Sequence, residues 1–146
     1  MKKTGYILLV LIAVLTLCGC GIHKINDPAT AEEFTKTAVK LGFTTEQETV
    51  DGGNVVTATY GTDTAVVSYG QYYEISSVTQ MYDYFLQNVS DNKDYTVEEG
   101  EGKSFVAVSG DYVFRCTVRE NTVIAATAKG DEGHNLVDKI FSELKY

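Results

Sequence analysis

The chain of 146 residues has no tryptophan, one proline, two histidines and three cysteines. Each shortage closes off a class of function. His23 and His134 stand far apart, and no H-x-x-x-H or C-x-x-C spacing occurs, so the sequence carries no zinc motif. An EF-hand register opened at Asp91 puts Lys93 and Tyr95 at ligand positions, so the run Asp91-Asn92-Lys93-Asp94 fails as a calcium loop. The missing tryptophan weighs against a sugar-stacking site. There is no G-x-S-x-G, and neither glycine-rich stretch carries the lysine of a phosphate cradle. Glu98, Glu99 and Glu101 alternate with Gly100 and Gly102, which reads as a solvated turn rather than a glycosidase pair. The expectation is a non-enzymatic protein with no cofactor and no metal.

Positive charge is also scarce. There are 12 Lys+Arg against 20 Asp+Glu. No Lys or Arg falls between Lys40 and Lys93, whereas Glu46, Glu48, Asp51, Asp63, Glu74, Asp83 and Asp91 all do. Phosphate binding runs on Lys and Arg, so nucleic acid is excluded as a partner. Docking of the protein surface on anionic lipid is disfavoured for the same reason. An acidic surface serves solubility, or it meets a cationic partner.

What the sequence does have begins at the N-terminus. Lys2 and Lys3 precede an apolar stretch at 6–17, and small residues lead to Cys20. This is the build of a secretory signal, removed before folding. The run Leu17-Cys18-Gly19-Cys20 resembles the lipobox of bacterial lipoprotein signal peptides. That resemblance implies cleavage before Cys20 and a diacylglycerol on its sulfur. The chain would then sit on the extracytoplasmic face of the cell membrane, held there by its lipid. The competing reading is an uncleaved anchor, but the stretch at 5–22 is short against the roughly 20 residues a spanning helix needs. The expected organisation is a signal peptide at 1–19, the lipidated Cys20 with a short linker to 29, and one domain at 30–146.

Removal of Lys2 and Lys3 leaves 10 bases against 20 acids, a side-chain charge of −10. Cys116 would be the sole thiol of the domain, so no internal disulfide is available. It alternates with Tyr112, Phe114 and Val118, the pattern of a strand's apolar face, and reads as a buried small hydrophobe.

Thr30-Ala31-Glu32-Glu33 is a capping box opening a first helix, with Gly42 placed to end it. Strands follow at 43–50, 55–60, 64–69 and 72–75, turned by Asp51-Gly52-Gly53-Asn54, by Gly61 and around Gly70-Gln71. Ser77-Val78-Thr79-Gln80 is a second capping box. Behind it Val78, Met81, Tyr82, Phe85, Leu86 and Val89 repeat with helical period. Strands at 95–98, 103–109, 111–118 and 122–129 precede a last helix near Asp131. The order predicts an α+β fold, an antiparallel sheet with helices packed on one face. An offset of 49 residues lays Val56 on Phe105, Ala58 on Ala107 and Gly61 on Gly110, a faint sign of an α-ββββ duplication.

Five short runs carry a resemblance: Thr30-Ala31-Glu32-Glu33-Phe34, Leu41-Gly42-Phe43, Gly110-Asp111-Tyr112, Val118-Arg119-Glu120-Asn121-Thr122 and Leu144-Lys145-Tyr146. With them the chain resembles an uncharacterised family of small lipoproteins from Gram-positive bacteria. The resemblance implies one domain and the extracytoplasmic location, and it brings no catalytic residue, cofactor or substrate.

Tyrosine is the abundant aromatic, with 10 in the chain. Tyr72 and Tyr73 are adjacent, so as strand residues they point to opposite faces and one of them is exposed or at an edge. Tyrosine offers rigid amphipathic contact area at little entropic cost. Tyr69, Tyr72, Tyr73 and Glu74 are therefore the candidate surface for a cationic protein of the cell envelope. Two other readings stay open: a small-molecule-binding or sensor module with a pocket between sheet and helices, and a structural accessory subunit.

Overall fold

The structure, a computed structural model, describes residues 27–146. Cys20 and the signal segment at 1–19 lie outside the described residues, as does most of the linker. Among the described residues three helices, α1 (Ala31–Lys40), α2 (Ile75–Ser90) and α3 (Gly130–Glu143), accompany seven strands. The strands are β1 (Thr44–Val50), β2 (Gly53–Tyr60), β3 (Ala65–Tyr72), β4 (Thr96–Glu99), β5 (Lys103–Ser109), β6 (Tyr112–Arg119) and β7 (Thr122–Lys129). They form one antiparallel sheet in the order β1-β2-β3-β7-β6-β5-β4. Two meanders meet where β3 pairs with β7, Tyr69 opposite Ile124 and Val67 opposite Ala126. The α+β class and the antiparallel sheet are as the sequence predicts.

The termini of α1 follow from local chemistry. Thr30 Oγ1 accepts from the Glu33 amide at 3.2 Å, and Glu33 accepts from the Thr30 amide at 2.8 Å. At the other end Gly42 takes φ +90°, and the Phe43 and Gly42 amides donate to the Ala38 and Val39 carbonyls. That is a Schellman motif, with Phe43 and Ala38 both buried beneath it.

The helices do not share one face. Alternate residues of a strand point to opposite sides, and β7 uses both. Ile124, Ala126 and Ala128 join Val56, Ala58, Val67 and Tyr69 in a core roofed by α1 and α3. Val123 and Ala125 point the other way, to Phe105, Ala107, Cys116 and helix α2 with Val78 and Tyr82. The expectation of helices on one face is therefore corrected: α1 and α3 cover one side and α2 the other. The suggested α-ββββ duplication changes in one respect: its first half holds three strands, β1–β3, before α2. Val56 and Ala58 lie in the first core, while their proposed equivalents Phe105 and Ala107 lie in the second. A two-fold axis along β7 would carry β1-β2-β3 onto β4-β5-β6 and exchange the two faces, so these positions and the helices α1 and α2 fall where such a repeat would put them.

Two further boundaries differ from the sequence reading. Gly70 does not split its strand; β3 runs unbroken to Tyr72. A Cβ at Gly70 would stand 2.7 Å from Tyr72 Cε2 and 3.2 Å from Val123 Cγ1, so the glycine makes room for the Tyr72 ring. Helix α2 starts at Ile75 with Glu74 as its N-cap, and Glu74 makes no side-chain capping bond. The Ser77–Gln80 box thus lies inside the helix instead of opening it.

Each face is roofed over only part of the sheet. On the α2 side the β1–β2 hairpin presents Glu46, Glu48, Val55 and Thr57 without a helix above them. On the α1/α3 side the β4–β6 strands present Glu98, Val106, Val108 and Arg119.

Candidate functional site

The structure distributes the four proposed surface residues between core and solvent. Tyr69 is fully buried, stacked on Phe34 at 5.5 Å between ring centroids, with its hydroxyl donating to the Ala29 carbonyl at 2.8 Å. Burial raises its phenol pKa. It is a core residue and leaves the candidate surface, because its odd position in β3 points it beneath α1. Tyr72 points to the other side and is half-buried against the α2 cluster. Asn121 clamps its backbone: the Tyr72 amide donates to the Asn121 carbonyl at 2.9 Å, and Asn121 Nδ2 donates to the Tyr72 carbonyl at 2.7 Å.

Tyr73 and Glu74 are on the surface. Tyr73 is 78% exposed, yet its amide donates to the Gly52 carbonyl at 2.9 Å, which ties it to the β1–β2 turn. Glu74 is exposed and accepts from Ser76 Oγ at 3.2 Å. Ile75, the first residue of α2, is 61% exposed. Sequence reading missed it by placing it inside a strand. An aromatic ring, a carboxylate and a branched aliphatic side chain thus stand in succession on a backbone held at both ends. Such a patch meets a partner with little ordering cost.

The surrounding charge is one-sided. All seven acids between Lys40 and Lys93 are exposed. Among the described residues only Asp83 of these forms a salt bridge, to Lys103 at 3.7 Å. The other acids of this stretch face solvent without a cationic neighbour in salt-bridge range.

A groove of about 480 Å³ lies elsewhere, on the open β4–β6 side. Glu98, Glu99 and Glu101 form one rim, and Arg115, Arg119 and Tyr146 the other. Arg115 stacks over Phe141 at 4.1 Å and donates to Asp138 Oδ1 and the Tyr146 carbonyl, each at 3.3 Å. Burial pulls its guanidinium pKa down, opposed by Asp138. Arg119 stacks over Tyr146 at 4.9 Å.

The reactive side chains are occupied structurally. Cys116 is buried, and burial pushes its thiol up to about 12, so it is protonated at neutral pH. His134 Nε2 bonds the Asp111 carbonyl at 2.9 Å. Asn92 Oδ1 accepts from the Asp94 amide at 3.1 Å, closing a turn. Among the described residues no group of three or more His, Cys, Asp or Glu is placed to hold a metal, and no helix is long and apolar enough to cross a membrane. No protein-family model, no curated protein and no solved structure matches the chain.

Proposed function

We propose that this chain is a lipid-anchored, extracytoplasmic protein without catalytic activity that binds another, cationic protein of the cell envelope. The lipobox-like run ending at Cys20 supports the anchor. The observation that carries the binding reading is Tyr73, a large aromatic side chain left 78% exposed on a backbone fixed by the Gly52 carbonyl. Rigid exposed tyrosine is the kind of anchor that dominates protein interfaces. Glu74 beside it and the acids of the β1–β2 hairpin set the sign of the partner.

Tyr72 packs against α2, so Tyr73→Ala is the clean probe and Tyr72→Ala would disturb the fold. Crosslinking in cells that make the lipidated protein, followed by identification of co-purifying proteins, tests the reading. A single basic partner is expected, lost in Tyr73→Ala and released by salt. At about 1 M salt the Debye length falls to about 3 Å. A partner retained at that ionic strength would contradict the electrostatic part. The second reading is a small-molecule-binding or sensor module, for which the β4–β6 groove, with its charged open rim, would take a polar ligand.

A further inference from the structure

The β1 edge of the sheet is open and built to be paired. Native edge strands are ordinarily blunted by shortness, proline, charged side chains (lysine above all) or a bulge, and the only charges on β1 are Glu46 and Glu48. The opposite edge follows that rule, since β4 has four residues. β1 has seven, TTEQETV, with no proline, lysine or glycine, and it runs in unbroken register from Thr44↔Thr59 to Val50↔Gly53. All seven are exposed or partly exposed. The two-residue turn makes Val50 and Gly53 the pair that exchanges both hydrogen bonds, because the alternative pairing would need bonds between neighbours in the turn. Antiparallel ladders alternate from there. Glu46 and Glu48 therefore direct their backbone groups inward to β2, while Thr45, Gln47 and Thr49 direct theirs outward. No described residue pairs with that outward row.

Side-chain charge decides what the edge accepts. Glu46 and Glu48 stand two residues apart on one face. A second copy pairing antiparallel about Gln47 would set Glu46 against Glu48 twice, and like charges directly opposed are destabilising. The same arrangement rewards a strand carrying Lys or Arg at alternate positions. We infer that β1 is a docking edge for an extended basic segment of the partner protein, which adds to the sheet as an eighth strand and sets its cations against Glu46 and Glu48. The inference rests on the protein-binding reading above and gives that partner a mode of attachment. Tyr73, tied to the β1–β2 turn but continuing β3, is a separate contact point on the same end of the sheet.

The test uses the full chain in detergent and a capped peptide of about eight residues alternating Lys and Val, the length of one strand. The peptide should bind, and its Glu–Val counterpart should not. Amide exchange should slow at Thr45, Gln47 and Thr49. Gln47→Pro removes an outward amide and no bond to β2, so it should weaken peptide binding at least tenfold with the unfolding midpoint nearly unchanged. Glu46→Lys with Glu48→Lys should reverse the preference to the Glu–Val peptide, which keeps the test decisive if the proline variant folds poorly. Absence of Lys–Val binding, equal binding by Gln47→Pro, or an unreversed preference would each overturn the inference. In cells, a partner lost with Tyr73→Ala but retained with Gln47→Pro would sink the edge alone. A partner retained in both would sink the binding reading with it.

Discussion

The hydroxyl of Tyr69 and the ring of Tyr73 sit four residues apart and do opposite work. Tyr69 donates to the Ala29 carbonyl from inside the core. Tyr69→Phe should cost about 1–2 kcal/mol of stability, the value of a buried hydrogen bond whose partner is left unsatisfied, with partner binding intact. Chemical denaturation checks the first half and co-purification the second. Cys116 gives a pH prediction. Its native thiol pKa lies above the ordinary value, so the folded state holds the proton longer than the unfolded state does. Stability is therefore full below about pH 9 and falls as pH climbs towards about 12. Burial raises Tyr69, Tyr72 and Tyr82 in the same direction, which steepens the alkaline limb. Urea midpoints measured from pH 7 to 11 should decline above about 9, and a thiol reagent should label Cys116 only on unfolding. Rapid labelling of the native protein would contradict its placement.

At the scale of elements, the local signals were legible and the long-range ones were not. The Thr30 capping box, the Gly42 stop and the β5–β7 meander follow from residues within a few positions of each other. Which face a strand turns towards which helix depends on contacts across the sheet, and nothing near Val78 or Tyr82 says that α2 crosses to the far side. Gly70 misleads as a breaker because the Tyr72 ring that needs its missing Cβ is a tertiary neighbour. Tyr69 looked like surface for the same reason, since α1 roofs it from 35 residues away in sequence, with Phe34 as the contact. Gly133 shows the point in α3: a Cβ there would run into the Thr64 carbonyl oxygen and stand 3.2 Å from Ala128 Cβ. Gly133→Ala would gain about 1 kcal/mol in an isolated helix. Here it should lose roughly 1–3 kcal/mol through overpacking, measurable as a lower urea midpoint. Glu74 leaves α2 without a side-chain cap. Glu74→Asp should stabilise the domain by about 0.5–1 kcal/mol if the shorter carboxylate reaches the first-turn amides, a gain the natural sequence has not taken at its exposed patch.

The whole molecule is an acidic plate with helices on both sides and one long unpaired edge. Of its exposed acids between Lys40 and Lys93, Glu46, Glu48 and Asp51 lie on the β1–β2 hairpin, Glu74 at the β3–α2 junction, Asp83 and Asp91 on and after α2, and Asp63 in the β2–β3 turn. All are without a neighbouring arginine among the described residues, while the stacked arginines share the β4–β6 groove with Glu98, Glu99 and Glu101. That excess of acid makes a salt-dependent association rate the expected signature of capture of a cationic partner. The self-repulsion of Glu46 and Glu48 also predicts a chain that does not pair with itself through β1 at neutral pH. Glu46→Gln with Glu48→Gln removes that barrier, and sedimentation should show association of that variant through the open edge.

The most direct measurement is crosslinking and co-purification of the lipidated protein from its own cells, wild type beside Tyr73→Ala. The account predicts one basic envelope protein with the wild type and its loss, by about tenfold or more, in the variant, as for a tyrosine hot spot worth about 2 kcal/mol. Recovery of the same partner in equal amount from Tyr73→Ala, or of no partner from either, would contradict it.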